Sequence, residues 1–230
     1  MFNGFPEETI LFFLGLRFNN DSSYFNAHRD DYIKQVQTPF YSFIEQLAPH
    51  MQQIDKAMEI RPAKCLARIR RDTRFTKDKS PYRDHLWLQF RRGGESKEHS
   101  VMFWFELGPD SVSWGLGFWG ENKPALELLR KQMVAKPRKF LSVINSCKLE
   151  EHNMVLEGEE HKRIVVPEGL SEKLVPWYKK KQLYICKQSV QMPIVYNSNI
   201  AQLVTEDYLS LAPIYQMLRG AVDQIELQEE

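Results

Sequence analysis

The sequence has few cysteines, and their spacing is typical neither of proteins held together by disulfides nor of proteins held together by a structural zinc ion. Cys65, Cys147 and Cys186 lie far apart and form no CxxC pattern. Such a set builds neither a disulfide framework nor a structural zinc site, and the histidines show no HxH or HExxH spacing. We therefore expect no metal, with the cysteines buried as small apolar side chains in a reducing compartment.

Long apolar runs are also missing. No stretch approaches the roughly 20 apolar residues that a membrane-spanning helix requires. The opening residues, MFNGFPEETILFFLGL, contain an apolar run, but Glu7 and Glu8 precede it. Because no basic region or small-residue cleavage site accompanies this run, it does not have the pattern of a signal peptide. We predict a cytoplasmic protein without a membrane partner.

The chain also lacks an excess of charge of either sign. Its 31 lysines and arginines balance 30 acidic residues, which leaves a formal net charge of +1. No overall field would attract nucleic acid or an anionic membrane, so any preference for anions has to come from local clustering. With 43% hydrophobic and 12% aromatic residues, the composition is that of a packed globular chain. We expect a single domain over residues 1–230.

The middle of the chain differs in character from both ends. Apolar residues recur at helical spacing before and after it, whereas HLWLQF, SVMFWFEL and SVSWGLGFW are rich in the aromatic and β-branched residues typical of strands. Strands grouped in this way, without βαβ alternation, favour an α+β fold. We predict a central antiparallel sheet covered by amphipathic helices from both ends of the chain.

Local signals mark several helix boundaries. Pro6 predicts the start of the first helix, and Ser22 or Ser23 is expected to cap the second one. Around Pro39 the pattern fits either two helices in line or one kinked helix. The last amphipathic helix is predicted to begin near Thr205.

The most informative segment is RIRRDTRFTKDKSPYR, residues 68–83, which we call the basic segment. Its seven basic side chains are opposed by only two acidic ones, Asp72 and Asp78, so it carries a local excess of five positive charges. Arginine suits anion binding because its planar fork holds a carboxylate or phosphate through two parallel hydrogen bonds. We predict that the ligand-binding residues are Arg68, Arg70, Arg74, Lys79 and Arg83.

Three hypotheses follow for the basic segment. The leading one is an arginine-rich pocket with an aromatic wall that binds a small phosphorylated or carboxylated ligand, and catalysis at that pocket is left open. The second is a non-catalytic module that binds nucleic acid or an acidic protein partner, with nucleic acid less favoured because the chain is nearly neutral. The third is a purely structural segment whose arginines pair internally with acids.

Catalytic signatures are scarce. The chain has no GxSxG motif, and GLGFWG completes neither a phosphate-binding loop nor a GxGxxG fingerprint, so we expect no cofactor. If the protein catalyses a reaction, His28 and Asp72 are the candidates for carrying a proton, because a histidine titrates near neutral pH and each lies beside arginines in the sequence.

Three motifs in the chain resemble those of one family. The basic segment resembles the signature of the DUF2461 family of bacterial and fungal proteins. NNDSSYFNAHRDDY, near the amino terminus, is similar to that family's asparagine, aromatic and arginine motif, and PWYKKKQLYI is similar to its lysine and aromatic segment. The resemblance spans nearly the whole chain, and it implies an architecture but no mechanism.

Overall fold

In the computed structural model, which describes residues 2–96, 99–188 and 190–229 with side chains up to residue 227, the first helix begins where the sequence predicts. Pro6 is the N-cap residue of α1 (Glu7–Phe18), and Glu7 and Glu8 form its first turn. A proline loses no hydrogen bond there, and acidic side chains meet the positive end of the helix dipole. Phe13 is fully buried on the apolar face.

The second helix, α2 (Ser22–Ala27), has a different cap from the predicted one. The carboxylate of Asp21 accepts a hydrogen bond from the backbone N–H of Tyr24 at 2.8 Å. An aspartate satisfies a free amide as a serine would, and its charge is also favourable at this end of a helix. The prediction of Ser22 or Ser23 as the cap was therefore wrong.

The helical path then continues through Pro39 without a break. A short helix, α3 (Arg29–Asp31), passes into a π-helical segment (Tyr32–Gln37) and then into α4 (Thr38–Ile54). Pro39 lies in the first turn of α4, where the missing N–H of a proline breaks no helical hydrogen bond. The helix that begins at Thr38 agrees with the first alternative, two helices in line, and the π-helical segment before it was not predicted.

The predicted antiparallel sheet is confirmed. Its five strands are β1 (Leu86–Phe90), β2 (Val101–Leu107), β3 (Val112–Phe118), β4 (Met154–Glu157) and β5 (Tyr184–Lys187). They lie in the order β1-β2-β3-β5-β4, with Leu116 paired to Ile185 and Val155 to Cys186 in antiparallel register. Gly115 is required in β3 because a Cβ there would lie 2.0 Å from the carbonyl oxygen of Ile185.

Further helices complete the predicted α+β fold, which is also confirmed. They are α5 (Pro62–Cys65), α6 (Lys123–Ala135), α7 (Pro137–Ser146), α8 (Val175–Lys179) and α9 (Asn199–Glu229), with two 3₁₀ turns at Glu172–Leu174 and Met192–Tyr196. The last helix begins at Asn199 rather than near Thr205. No helix among the described residues is both long and apolar enough to cross a membrane.

The chain divides into two compact units, and the prediction of one domain over residues 1–230 stays a prediction. The first unit comprises residues 1–90, 104–114 and 189–205, and the second comprises residues 91–103, 115–188 and 206–230. An aromatic cluster forms much of the core of the first unit, where the rings of Phe43 and Phe105 lie 4.7 Å apart.

The second unit buries a charged cluster beside its apolar core. Asp207 of α9 is fully buried, and its carboxylate lies 2.8 Å from Nδ1 of His152 and 3.0 Å from Nζ of Lys187. The lysine also donates a hydrogen bond to the carbonyl oxygen of His152 at 2.6 Å. A buried carboxylate is tolerated only when it is paired in this way, so the cluster fixes the beginning of β4 and the end of β5 to α9.

Candidate anion-binding site

The basic segment folds back on itself as a short antiparallel loop. Arg70 and Tyr82 form an isolated β-bridge, and the N–H of Arg83 donates to the carbonyl oxygen of Ile69 at 2.9 Å. We call residues 68–70 and 81–83 its base and residues 71–80 its tip. Ile69 and Tyr82 are buried, so the base is anchored in the first unit.

A side chain from the amino-terminal motif holds the base in place. The Oδ1 atom of Asn20 accepts a hydrogen bond from the N–H of Tyr82 at 2.9 Å, and its Nδ2 donates to the carbonyl oxygen of Tyr82 at 3.0 Å. The amide thus pairs with Tyr82 as a neighbouring strand would. Phe25 stacks on the same tyrosine with the ring centroids 4.2 Å apart.

Arg83 occupies the centre of the base. Its guanidinium lies over the indole of Trp87, 4.7 Å from the centroid, and its Nη1 donates to the carbonyl oxygens of Arg68 and Arg70 at 2.8 and 2.7 Å. Among the described residues no carboxylate pairs with it. Burial lowers the pKa of Arg83, and the nearby charge of Arg71 lowers it further. This half-buried cation therefore lacks a counter-charge.

Arg68 and Arg70 flank this cation on the exposed side of the base. Both side chains are exposed, whereas Ile69 between them is buried, as expected of alternating residues in an extended chain. Neither side chain makes a hydrogen bond or ion pair within the described part of the chain. The contact between Arg83 and these two residues is therefore made to their backbone carbonyl oxygens.

The tip differs from the base because both of its arginines are paired with aspartates. Arg74 donates to the carboxylate of Asp72 at 2.7 Å, and Arg71 donates to that of Asp78. The hydrogen bond from the Arg74 side chain lowers the pKa of Asp72 to about 2. Hydrogen bonds from Ser80, and then the one from Arg71, lower the pKa of Asp78 to about 2 as well. Asp72 is therefore ionised at neutral pH, but its lowered pKa makes it a weak proton acceptor. Its catalytic role stays a prediction.

The five predicted ligand residues are thus divided between two environments. Arg68, Arg70 and Arg83 belong to the base, where the side chain of Arg83 contacts the backbone carbonyl oxygens of the other two. Arg74 is paired with an aspartate at the tip, and Nζ of Lys79 donates to the carbonyl oxygen of Thr73 at 2.9 Å. The assignment of all five residues to one ligand stays a prediction.

His28, the other catalytic candidate, ends the second helix. Its Nδ1 donates to the carbonyl oxygen of Tyr24 at 2.9 Å, and its ring stacks on the tyrosine with centroids 4.1 Å apart. The same carbonyl oxygen also accepts the backbone N–H of His28 at 3.1 Å, so the imidazole adds a second hydrogen bond at the end of α2 through Nδ1. Within the described part of the chain, no polar contact joins His28 to the basic segment. Its catalytic role stays a prediction.

An ion-paired histidine lies immediately after the basic segment. Nδ1 of His85 is 3.0 Å from Oδ1 of Asp84, and Arg17 donates to Oδ2 of Asp84 at 2.7 Å and to Asp110 at 2.7 Å. Burial would raise the pKa of Asp84, but the hydrogen bonds from His85 and Arg17 outweigh burial and lower it. The ionised carboxylate therefore holds the imidazole by Nδ1 and leaves Nε2 available.

Trp87 connects this histidine to the base. The ring of His85 stacks against the indole at 5.9 Å between centroids, while the guanidinium of Arg83 lies over the same indole. The guanidinium and the imidazole therefore share contact with one indole. The arrangement combines a guanidinium group, an oriented imidazole and an aromatic surface.

The whole arrangement falls within a region that matches a known family. Residues 8–217 match the family model described as a conserved hypothetical protein, DUF2461. This chain belongs to the DUF2461 family. The resemblance seen in the three sequence motifs is thereby confirmed. No match was found among the curated proteins or among the solved structures.

In this DUF2461 chain, sequence reasoning missed the residues that act through packing or distant pairing. Asn20 and Phe25 lie within the recognised asparagine and aromatic motif, but nothing in the sequence connected them to Tyr82. Arg17 and Asp84 are 67 positions apart, so their ion pair has no local signal. The alternation of His85 and Trp87 with Arg83 was the one signal that could have revealed the shared indole.

Metal binding finds no support in the described part of the DUF2461 chain. No three histidine, cysteine, aspartate or glutamate side chains there lie close enough together to hold an ion. The candidate site therefore consists of cationic, aromatic and imidazole groups, which together suit an organic anion.

Proposed function

We propose that the protein binds a small phosphorylated or carboxylated ligand at the base of the basic segment. Arg83, with Arg68 and Arg70 beside it, provides the anion-binding groups, and Trp87 forms the aromatic wall. The observation that carries the proposal is the half-buried guanidinium of Arg83, which has no carboxylate partner among the described residues and has its pKa lowered by burial.

A bound anion would supply the missing counter-charge. A partly desolvated cation is less stable than a solvated one, and an anion at hydrogen-bonding distance offsets that loss. Both hydrogens of Nη1 are used by the carbonyl oxygens of Arg68 and Arg70, while Nε and Nη2 still offer donors. These two nitrogens form one edge of the guanidinium, the edge that binds a carboxylate or phosphate through two parallel hydrogen bonds.

The test removes charge where no structural contact is lost. Arg68 and Arg70 are exposed and make no side-chain contact in the described part of the chain, so the double variant Arg68→Gln/Arg70→Gln should keep the wild-type melting temperature. Its matched control is Lys56→Gln/Lys64→Gln, which removes two exposed cations of the same unit.

The assay is a thermal-shift screen against phosphorylated metabolites and dicarboxylates, followed by titration of any ligand that stabilises the protein. We expect the double variant to lose affinity by about tenfold or more, and the control to bind as the wild type does. Unchanged affinity in the double variant would exclude Arg68 and Arg70 from the site. Including Arg74→Gln shows whether the tip also contributes, as the sequence predicted.

The Asp84–His85 pair favours a second candidate function, in which the site also catalyses a reaction of the bound ligand. An imidazole whose Nδ1 is held by a carboxylate can accept a proton at Nε2. Conversion of the identified ligand, followed by NMR, should then be abolished in His85→Gln while binding is retained. If the wild type leaves the ligand unchanged, the site is one of binding alone.

The other two hypotheses give different results in the same experiments. Binding of nucleic acid through the basic segment would show as retention of a short oligonucleotide that weakens steeply with added salt. The ion pairs of the tip favour a structural role for Arg71 and Arg74, which predicts no ligand effect from changing them.

A further inference from the structure

The second unit contains a groove between α6, α7 and α9 that differs in character from the basic segment. Its volume is about 650 Å³, within the roughly 300–1,000 Å³ typical of pockets for small molecules. We call it the α6–α9 groove. Thirteen residues line it, and none of them is a carboxylate.

The floor of the α6–α9 groove is apolar. Leu128 of α6, Phe140 and Val143 of α7, and Pro213 and Met217 of α9 line it. A floor assembled from three helices offers an apolar ligand contact from several sides, and methionine adapts readily to the shape of what it touches. Such a surface suits a flexible hydrocarbon chain.

Three lysines line the same groove. Lys131, Lys136 and Lys139 are exposed, and within the described part of the chain none of them has an ion-pair partner. Lys136 and Lys139 lie where α6 ends and α7 begins, so two cations are concentrated at that turn. Elsewhere in the groove, Gln132 donates a hydrogen bond to Gln224 at 3.4 Å and links α6 to α9.

We propose that the α6–α9 groove binds a free long-chain fatty acid. The acyl chain lies along the apolar floor, and the carboxylate is bound by the lysines at the turn between α6 and α7. An apolar surface combined with unpaired cations and no lining carboxylate is complementary to an anion with a hydrocarbon tail. A protein partner fits less well, because a standard interface uses about 20–30 residues on each side and thirteen line this groove.

Gly220 provides a way to fill the groove without disturbing the fold. It lines the groove on α9, and a Cβ added there would meet no atom within 4 Å. Gly220→Phe therefore places a ring where the acyl chain is expected. Gly220→Ala is the matched control, because it adds only a methyl group and alanine favours a helix.

The probe is oleate, titrated calorimetrically below its micelle concentration, with oleyl alcohol as the uncharged comparison. We expect saturable oleate binding to the wild type, an affinity loss of about tenfold or more in Gly220→Phe, and a change below about threefold in Gly220→Ala. Lys136→Gln/Lys139→Gln should weaken oleate binding and leave that of oleyl alcohol unchanged. Thermal melts of each variant establish that it is folded.

Three results would overturn the proposal. One is the absence of saturable oleate binding to the wild type, and another is equal binding by folded Gly220→Phe. The third is an acidic amphipathic peptide that binds where oleate does not and is blocked by Gly220→Phe, which would assign the groove to a protein partner. Because Arg68→Gln/Arg70→Gln leaves this groove unaltered, that variant should bind oleate as the wild type does.

Discussion

The base and the tip of the basic segment contain the same kinds of side chain in opposite electrostatic surroundings. At the tip, Asp72 and Asp78 accept hydrogen bonds from Arg74 and Arg71. At the base, Arg83 has no carboxylate partner among the described residues; its guanidinium donates to carbonyl oxygens and lies over an indole. Charge density along the sequence therefore does not locate an anion site, because neighbouring carboxylates decide which cations remain unpaired.

Neighbouring acids are present at the base as well, but they are already engaged. Asp84 directly follows Arg83, yet its two oxygens contact Arg17 and His85. A cation in the adjacent helix α1 thus keeps this carboxylate away from the base. We therefore expect the base, whose arginines are unpaired, to be required for the fold. We expect the tip, whose arginines are paired, to be dispensable for it.

The largest effect is expected at the buried tyrosine of the base. Tyr82→Ala removes a buried ring that stacks on Phe25, and truncation of a large buried aromatic should lower the free energy of unfolding by about 3 kcal/mol. Urea denaturation followed by tryptophan fluorescence measures the change. Tyr82→Phe keeps the ring and is the control, with a stability close to wild type. Equal losses in both variants would show that the hydroxyl, rather than the stacked ring, anchors the base.

A smaller effect is expected from the amide that pairs with Tyr82. Asn20→Ala leaves the N–H and carbonyl oxygen of Tyr82 without their partner, which should cost about 1–3 kcal/mol of unfolding free energy. Asn20→Asp keeps the acceptor and loses the donor, so its stability should lie below wild type and above Asn20→Ala. Hydrogen exchange of the Tyr82 amide provides a local measure, with faster exchange expected in Asn20→Ala. Unchanged exchange would mean that the base is held without this contact.

Much of the fold could be predicted from the sequence because its signals are local. The strands β1 to β3 follow from runs of aromatic and β-branched residues, and the helix start at Pro6 follows from a residue that suits that position. The π-helical segment could not be predicted. Its hydrogen bonds span five residues instead of four over only a short segment, which gives the sequence no recognisable hydrophobic period. The cap at Asp21 was missed because aspartate and serine fit the same position.

The candidate site could be predicted only in part. The basic segment stands out by its charge, but the pairing of its arginines depends on how the loop folds back. Arg74 and Asp72 are close in sequence, but the structural alternative paired the arginines with acids elsewhere in the chain, so this local pair was missed. The roles of Asn20 and Arg17 depend on contacts across more than 60 positions, for which one sequence carries no signal.

The smallest effect is expected at the tip, where both arginines are paired with aspartates but the pairs are exposed. Arg74→Gln should leave the free energy of unfolding unchanged within error, because an ion pair in water gains little. The pair should nevertheless be visible in a titration: the pKa of Asp72 is about 2 instead of its ordinary 3.8. Since the folded pKa is the lower one, the contribution of this pair is present above about pH 3.8 and is lost as the pH falls through about 2.

NMR titration of the carboxyl groups measures the pKa of Asp72 in the wild type and in Arg74→Gln. In the variant, the pKa of Asp72 should rise toward 3.8, because the hydrogen bond from Arg74 is the main cause of its depression. Asp78, whose pKa depends first on Ser80 and then on Arg71, provides the internal control and should not move. A marked loss of stability in Arg74→Gln would contradict the comparison, since the tip would then be as necessary to the fold as the base.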